Sequence, residues 1–179
     1  MLEILKAPSS VLSAKAKVVA KIDSSTSLLL KEMVKALEAA SDPVGVGLAA
    51  PQIGKSLQIF IAKPNIKSEI FVFINPKILK SLRKEKKDES KSKKLEGCLS
   101  LPGIWGEVKR YGEIYLQYQD ENGIPHKKKF TGFMATIIQH EIDHLDGILF
   151  PKRVLEQKGT LYKSEKDEKG EDIFEELKV

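Results

Sequence analysis

Residues 132–145 have the sequence G-F-M-A-T-I-I-Q-H-E-I-D-H-L. Apolar side chains recur along this stretch at helical spacing, which predicts a helix that begins at Gly132, runs to about Leu145 and stops at Gly147. The apolar residues lie on more than one face of that helix: Met134, Ile137, Ile138, Ile142 and Leu145. A helix with so little polar surface is expected to be buried, so we predict that it lies at the centre of the fold.

The same helix carries His140 and His144, four residues apart on one face, so both imidazoles can reach a single metal ion. Glu141 follows the first histidine and can reach a water bound to that metal, as a general acid or base must. The alternative is a surface helix with two chance histidines, but two of the three histidines in the chain fall in this motif. The pattern therefore predicts a metallohydrolase in which Glu141 moves the protons.

A catalytic site of this kind needs a third protein ligand and one open position. No histidine follows His144, and Glu156 is a conceivable ligand with no second signal around it. Cys98 is the better candidate, because Gly97 and Pro102 of the segment E-G-C-L-S-L-P-G indicate a rigid turn with exposed backbone. Taken alone, Cys98 would be interpreted as a small buried hydrophobe.

A first helix is predicted at 25–40. Asp23 precedes it with a capping side chain, and Leu30, Met33 and Leu37 follow at helical spacing. The next segment, V-G-V-G-L-A-A-P-Q-I-G at 44–54, holds three glycines and a proline and is not expected to form regular helix.

Short β-branched or aromatic stretches predict strands along the rest of the chain. They are expected at 57–63, at 70–74 with an end at Asn75-Pro76, at 105–110, at 113–119, and at 126–130 after a hairpin turn at 120–123. The charged tail from Leu161 predicts a hairpin or a frayed end. The expected fold is α+β in one domain, 1–179, with antiparallel strands packed around a central metal-binding helix and an N-terminal helix.

Composition excludes several classes of protein. At 41% hydrophobic residues the chain can bury a core, and its one cysteine allows no internal disulfide. No apolar run is long enough to span a membrane and no signal-peptide core begins the chain, so we expect a cytoplasmic protein without a membrane partner.

Residues 80–94 form a lysine-rich stretch whose charge of +5 equals the net charge of the whole chain. This stretch is predicted to be a solvated loop, with the preceding strand continuing into its first residues. Weak contact with RNA phosphates is the alternative. No aromatic residue interleaves with its lysines, so no specific nucleic acid is expected as a partner.

Three segments together resemble the signature motifs of the peptide deformylase family. They are G-V-G-L-A-A-P-Q at 45–52, E-G-C-L-S at 96–100 and Q-H-E-I-D-H at 139–144. They stand in the family's order, and each is matched in full. The resemblance implies hydrolysis of the N-formyl group from the N-terminal formylmethionine of newly made polypeptides, with release of formate.

The resemblance also implies roles for individual residues. Cys98, His140 and His144 would bind one divalent metal ion, Fe²⁺ by preference, with Ni²⁺, Co²⁺ or Zn²⁺ as alternatives. Gln52 and the backbone N–H of Leu99 would bind the oxygen of the tetrahedral intermediate. Without the motif, Gln52 would be interpreted as a polar turn residue.

The substrate needs an apolar pocket for methionine. Phe133, Thr136 and Ile137 lie seven, four and three residues before the first histidine ligand and share its face, and with Val46 they are the expected lining. Ordinary core is the alternative for these residues.

Gly45 and Gly47 are expected to let the formyl-methionyl nascent peptide approach as an extended strand. The charge of 80–94 suggests a transient ribosome contact.

Overall fold

The computed structural model describes residues 2–41, 44–82, 95–166 and 172–178. Within these residues the chain forms an α+β fold, as predicted, with antiparallel sheets and three α-helices. The helices are α1 (Ser24–Ala39), α2 (Gly132–Leu145) and α3 (Phe150–Glu156). The strands are β1 (Gly47–Ala49), β2 (Ile59–Ala62), β3 (Phe71–Leu82), β4 (Leu95–Cys98), β5 (Leu101–Glu107), β6 (Glu113–Gln119), β7 (Pro125–Thr131), β8 (Leu161–Lys166) and β9 (Asp172–Leu177).

The strands form two antiparallel sheets. One has the order β1-β2-β3-β6-β7 and the other the order β4-β5-β8-β9. The predicted hairpin of β6 and β7 is confirmed, and its register pairs Glu113 with Thr131 at one end and Gln119 with Pro125 at the other. The charged tail forms the hairpin of β8 and β9.

Helix α2 packs against the five-stranded sheet, as the apolar sequence predicted. Its Ile137 and Ile138 are buried in one core cluster with Phe60, Phe73 and Leu116 of the strands. Burial of each large apolar side chain stabilises the fold by roughly 1.5–3 kcal/mol, so the helix is held firmly on the sheet.

The end of α2 is also set by the sequence. Gly147 has φ +71°, and a Cβ atom there would lie 2.7 Å from the carbonyl carbon of Ser13. Only glycine fits this close approach in a left-handed conformation, so the helix stops where the sequence predicted.

Helix α1 confirms the helix predicted at 25–40. The Asp23 side chain caps it by accepting hydrogen bonds from the backbone N–H groups of Ser25 and Thr26. Its buried residues Leu30 and Met33 belong to a second core cluster, which lies under β1 and β2. Strands β1 and β2 are therefore buried on both faces, by α1 on one side and α2 on the other.

The prediction that Asn75-Pro76 ends a strand is wrong, because β3 continues to Leu82. Asn75 adopts φ +51°, and the register with β6 shifts between Ile74 and Lys77. The Asn75 side chain accepts a hydrogen bond from Val19 N–H at 2.8 Å and donates one to the Val19 carbonyl at 2.9 Å. A bulge thus absorbs the Asn-Pro pair without ending the strand.

Strands β1 and β4 and helix α3 were not predicted either. Strand β4 is only four residues long, too short for a periodic pattern, and α3 is only seven. The predicted continuation of a strand into the lysine-rich stretch is confirmed as far as Leu82, and residues 83–94 lie outside the described residues. None of the described helices is long and apolar enough to cross a membrane.

Candidate metal centre

Three side chains with metal-binding atoms converge between the two sheets. Cys98 comes from the end of β4, and His140 and His144 come from one face of α2. Cys98 Sγ lies 3.2 Å from His144 Nε2, and one ligand atom from each residue lies within 4.8 Å of the others. These residues are therefore placed to hold one metal ion.

The donor set fits a catalytic metal. A thiolate and two imidazoles supply three of the four ligands of a tetrahedral site, and the fourth position stays open for water or substrate. Glu156, the other conceivable ligand, lies on α3 and pairs with Arg153 at 3.1 Å, with 46% of its side chain exposed. The structure thus brings Cys98 to the histidines and leaves Glu156 elsewhere.

His144 is deeply buried, and its Nδ1 has no hydrogen-bond partner among the described residues. Burial lowers the pKa of His144 well below its usual range, and the nearby charges of His140 and Arg110 lower the pKa further. The imidazole is therefore neutral, which is the form that binds a metal.

His140 is oriented by a carboxylate. Its Nδ1 lies 3.2 Å from Glu96 Oε2, which leaves Nε2 free to face the cluster. Burial alone would raise the pKa of Glu96, but hydrogen bonds from His140 and Arg110 outweigh burial and lower the pKa to about 2. A permanently charged Glu96 fixes the ring orientation and raises the basicity of the ligand, as outer carboxylates do in metal sites.

Arg110 continues this network across the site. Its guanidinium donates to both oxygens of Glu96, at 2.7 and 2.9 Å, and to Asp143 Oδ2 at 2.6 Å. The other oxygen of Asp143 accepts a hydrogen bond from Arg153 at 2.7 Å. Charges that would be costly to bury alone are paired here, and the pairs connect β4 to α2.

Glu141 is buried beside the cluster, with 3% of its surface exposed, and its Oε2 has no hydrogen-bond partner among the described residues. Burial raises the pKa of this carboxyl to about 7. A Cβ atom at Gly47 would collide with Glu141 Oε1. The glycine in β1 is therefore needed for the carboxylate to occupy its position.

Gln52 is buried on the other side of Cys98. Its Oε1 accepts a hydrogen bond from Ala49 N–H at 2.8 Å, so its orientation is fixed and its amide group points toward the metal ligands. Nε2 lies 3.7 Å from Cys98 Sγ and donates to Ser100 Oγ at 3.2 Å.

The N-terminal segment supports these loops from behind. Leu5 N–H donates to the Gln52 carbonyl at 2.7 Å, and Ala7 N–H donates to the Ser100 carbonyl at 3.0 Å. Lys6 Nζ donates to the Leu99 carbonyl at 2.6 Å. The turn after Cys98 is thus held at two points, and the Gln52 loop is held at a third.

A cavity of about 490 Å³ opens beside the cluster. All the residues predicted to bind or act on the substrate line it: Gly45, Val46, Gly47, Gln52, Leu99, Phe133, Thr136, Ile137 and Glu141. Cys98 and His140 also line the cavity. The predicted residues therefore share one space, although their roles remain predictions.

Three charged residues near the ligand cluster have roles that were not predicted from the sequence: Glu96, Arg110 and Asp143. Glu96 and Asp143 stand inside the quoted motifs, and an acid next to a metal ligand is a usable signal for an orienting carboxylate. Arg110 has no such signal, because it lies outside every motif. Trp105 also lines the cavity, and its ring occupies the space beside Gly97.

The chain is similar to peptide deformylases along most of its length. A model of the polypeptide deformylase family matches residues 1–160. A peptide deformylase of Symbiobacterium thermophilum is 40% identical over 172 residues, which cover 96% of this chain and 75% of that protein. A peptide deformylase of Dictyoglomus turgidum is 38% identical over 157 residues, covering 88% and 95% of the two chains. The solved peptide deformylase of Thermus thermophilus has a TM-score of 0.75 at 39% identity, covering 87% of this chain and 86% of the other.

The choice between Cys98 and Glu156 as third ligand can be tested by metal affinity. We expect Cys98→Ser to weaken metal binding by roughly 100-fold or more, since even loss of an outer residue costs 10–100-fold. Glu156→Gln, the matched control, is expected to bind metal as the wild type does. Competition with a chelator measures both affinities. Unchanged affinity in Cys98→Ser, or a comparable loss in Glu156→Gln, would contradict the assignment.

Proposed function

This chain belongs to the peptide deformylase family, and from that premise we propose that Cys98, His140, His144 and Glu141 form its catalytic centre. The chain is a metal-dependent amidohydrolase of protein biosynthesis. It removes the N-formyl group from the N-terminal formylmethionine of newly made polypeptides and releases formate.

The observation that carries the proposed site is the buried Glu141 beside the ligand cluster. Its Oε2 makes no hydrogen bond among the described residues and is free to exchange a proton. When bound, a divalent metal ion lowers the pKa of a water that it binds, so that the nucleophile forms near neutral pH.

Glu141 moves the proton that this hydrolysis requires. Its Oε2 accepts a proton from the attacking water while the water oxygen bonds to the formyl carbon. It then delivers the proton to the amide nitrogen of methionine as the C–N bond breaks, giving formate and a free amine. The pKa of about 7 for the buried carboxyl lies near working pH. A bound metal ion would lower this pKa and favour the carboxylate, the form of Glu141 that accepts the first proton.

Negative charge develops on the formyl oxygen during the attack, and two donors can receive it. We assign this role to Gln52 Nε2 and the backbone N–H of Leu99, which line the cavity on the Cys98 side. The Ala49 N–H holds the Gln52 oxygen, so the amide donor needs no reorientation during the reaction. Preplaced donors of this kind are each worth roughly 10²–10³ in rate.

The methionine side chain is proposed to occupy the apolar part of the cavity. Ile137 is buried in its wall, and Val46, Phe133 and Thr136 lie around it. Phe133 is 53% exposed, so it is suited to the mouth of the pocket. The cavity volume of about 490 Å³ is in the range of small-ligand sites.

Gly45 and Gly47 have two functions in this arrangement. Both line the cavity, where they would let an extended peptide backbone approach. A Cβ atom at Gly45 would also lie 2.6 Å from Leu37 Cδ1. Their lack of a side chain is therefore required by the protein's own packing as well.

We propose Fe²⁺ as the metal, in keeping with the family resemblance. The Cys, His, His donor set also accepts Ni²⁺, Co²⁺ and Zn²⁺. A thiolate on ferrous iron is sensitive to oxygen, because the sulfur can be oxidised. Formylated chains leave ribosomes in the cytoplasm, so we place the enzyme there, and cell fractionation with detection of the protein tests that location.

The Glu141 proposal is tested with an anaerobic assay of formyl-Met-peptide hydrolysis and with the metal content of the same samples. The wild type is expected to release formate with one Fe²⁺ bound. Glu141→Gln keeps the volume of the side chain but cannot accept a proton, so its kcat is expected to fall by roughly 10²–10⁴ with the metal retained. Turnover close to wild type in the metal-loaded variant would disprove the proposed role.

The oxyanion assignment has a separate test. Gln52→Leu removes the donor and is expected to lower kcat by roughly 10²–10³, with a smaller change in KM. Ser100→Ala is the control, because it removes the hydrogen-bond partner of Gln52 without removing the donor. Metal content and thermal unfolding confirm that both variants are folded. A loss of kcat no larger in Gln52→Leu than in Ser100→Ala rules out the role.

We further propose a transient ribosome contact, which the lysine-rich charge of residues 80–94 supports. Replacing the six lysines between 84 and 94 by glutamine is expected to reduce co-sedimentation with ribosomes at low salt, while hydrolysis of a short formyl-Met-peptide stays unchanged. Equal co-sedimentation of the variant and the wild type would refute the contact through this segment.

A further inference from the structure

One face of the five-stranded sheet is open to solvent over β3, β6 and β7. Ile78, Ile114 and Leu116 point to the opposite face and pack in the core. Residues that are paired across neighbouring strands point to the same face of the sheet. On the solvent-exposed face, such pairs form three rows that run across β3, β6 and β7. The rows are Lys77–Gln117–Lys127, Lys80–Tyr115–Lys129 and Leu82–Glu113–Thr131.

These rows form a basic surface, which we call the lysine face. Its four lysines, Lys77, Lys80, Lys127 and Lys129, are all exposed, and Glu113 is the acid in the same three rows. Glu113 is partnered by Lys129 at 2.8 Å. The three rows therefore keep a net charge of +3.

Protection of a sheet edge explains only part of this charge. Lysines on an edge strand prevent pairing with another chain, and β7 is an edge strand that carries Lys127 and Lys129. Strand β3 pairs with β2 only over Phe71–Ile74, so Lys77 and Lys80 lie on a stretch that is paired with β6 alone among the described strands. Edge protection does not require the lysines of two different edges to point to the same face, and this shared orientation calls for another cause.

We propose that the lysine face binds the phosphate backbone of double-stranded RNA. Adjacent strands are about 4.8 Å apart, so β3, β6 and β7 spread the ammonium groups over roughly 10 Å, a width that meets several phosphates of a duplex. Double-stranded RNA is recognised by shape and by phosphate and 2′-hydroxyl contacts, which a lysine grid with hydroxyl and amide groups can make.

The aromatic content of this face favours a duplex over a single strand. Tyr115 is 36% exposed, and Lys129 Nζ lies 6.0 Å from its ring centroid. One partly covered ring provides no platform for successive stacked bases, as a single-strand site requires. The choice of RNA over DNA rests on the proposed function, since the substrate is a chain that is being translated.

The position of the lysine face also relates it to the catalytic cavity. Glu113 and Thr131 are paired at one end of the β6–β7 hairpin. The next residues at that end, Gly112 and Gly132, line the cavity. An RNA bound on this face therefore lies beside the cavity, where a nascent chain can enter. This inference extends the ribosome contact to described strands and does not depend on residues 83–94.

The test compares two variants of equal charge by affinity for a synthetic 20-base-pair RNA duplex. The first changes Lys77, Lys80, Lys127 and Lys129 to Gln, and the second changes Lys21, Lys31, Lys67 and Lys152, which are exposed outside the lysine face. Both lower the net charge from +5 to +1. We expect the first to lose at least about tenfold in affinity near 0.1 M salt and to reduce the slope of log K against log salt by about 3, with the second close to wild type.

Hydrolysis of a short formyl-Met-peptide is expected to be unchanged in both variants, which separates failure of this inference from failure of the catalytic proposal. Equal losses of RNA affinity in the two variants would show diffuse charge attraction and overturn the proposal. So would stronger wild-type binding to vesicles of anionic lipid than to the duplex, or absence of RNA binding at low salt. The double variant of Lys77 and Lys80 gives a second measurement if the fourfold variant does not fold, and wild-type affinity in it would also count against the proposal.

Discussion

The buried ion pairs of Arg110 hold the metal centre together. The guanidinium forms ion pairs with Glu96 and Asp143. Glu96 lies two residues before Cys98 on β4, and Asp143 is adjacent to His144 on α2. One side chain thereby ties the strand that carries the thiolate to the helix that carries the imidazoles. Removal of one partner from a buried pair typically costs about 3–5 kcal/mol, because the remaining charge is left uncompensated. The positions of the three candidate metal ligands therefore depend on this network.

The buried polar side chains around the site fall into two groups: those whose hydrogen bonds are satisfied and those that have an unpaired atom. Gln139 is buried on α2 and satisfied, since it bonds the backbone of Tyr111 and Ala135. Asp143 is bonded through both oxygens. Among the described residues, the buried side-chain atoms without a partner are Glu141 Oε2 and His144 Nδ1. Buried polar groups are normally hydrogen-bonded, so an unpaired carboxylate oxygen beside a ligand cluster indicates a group kept free for chemistry.

The sequence predicted the parts of this protein that are set locally. Helix α2 and its histidines follow from helical spacing, and the β6–β7 hairpin follows from Asn122-Gly123. Arg110 was not predictable, because its partners are 14 and 33 residues away and only the folded chain brings them together. The bulge at Asn75 was missed for a similar reason: the bonds to Val19 that keep β3 continuous are long-range. The neighbouring residues in the sequence favoured Cys98 as a ligand. Its proximity to the two histidines, however, depends on how the two sheets pack.

The first residues of the chain show how far the site extends beyond its motifs. Leu5 bonds the Gln52 carbonyl, and Ala7 bonds the Ser100 carbonyl, so one extended segment spans the two loops that carry the proposed oxyanion donors. Between these two residues, the Lys6 ammonium group donates a hydrogen bond to the Leu99 carbonyl. Donors contribute to catalysis only if they stay in place while charge develops, so rigidity behind them matters as much as their identity. The N-terminal segment carries no chemical motif, yet its hydrogen bonds fix the positions of both donor loops beside the candidate metal ligands.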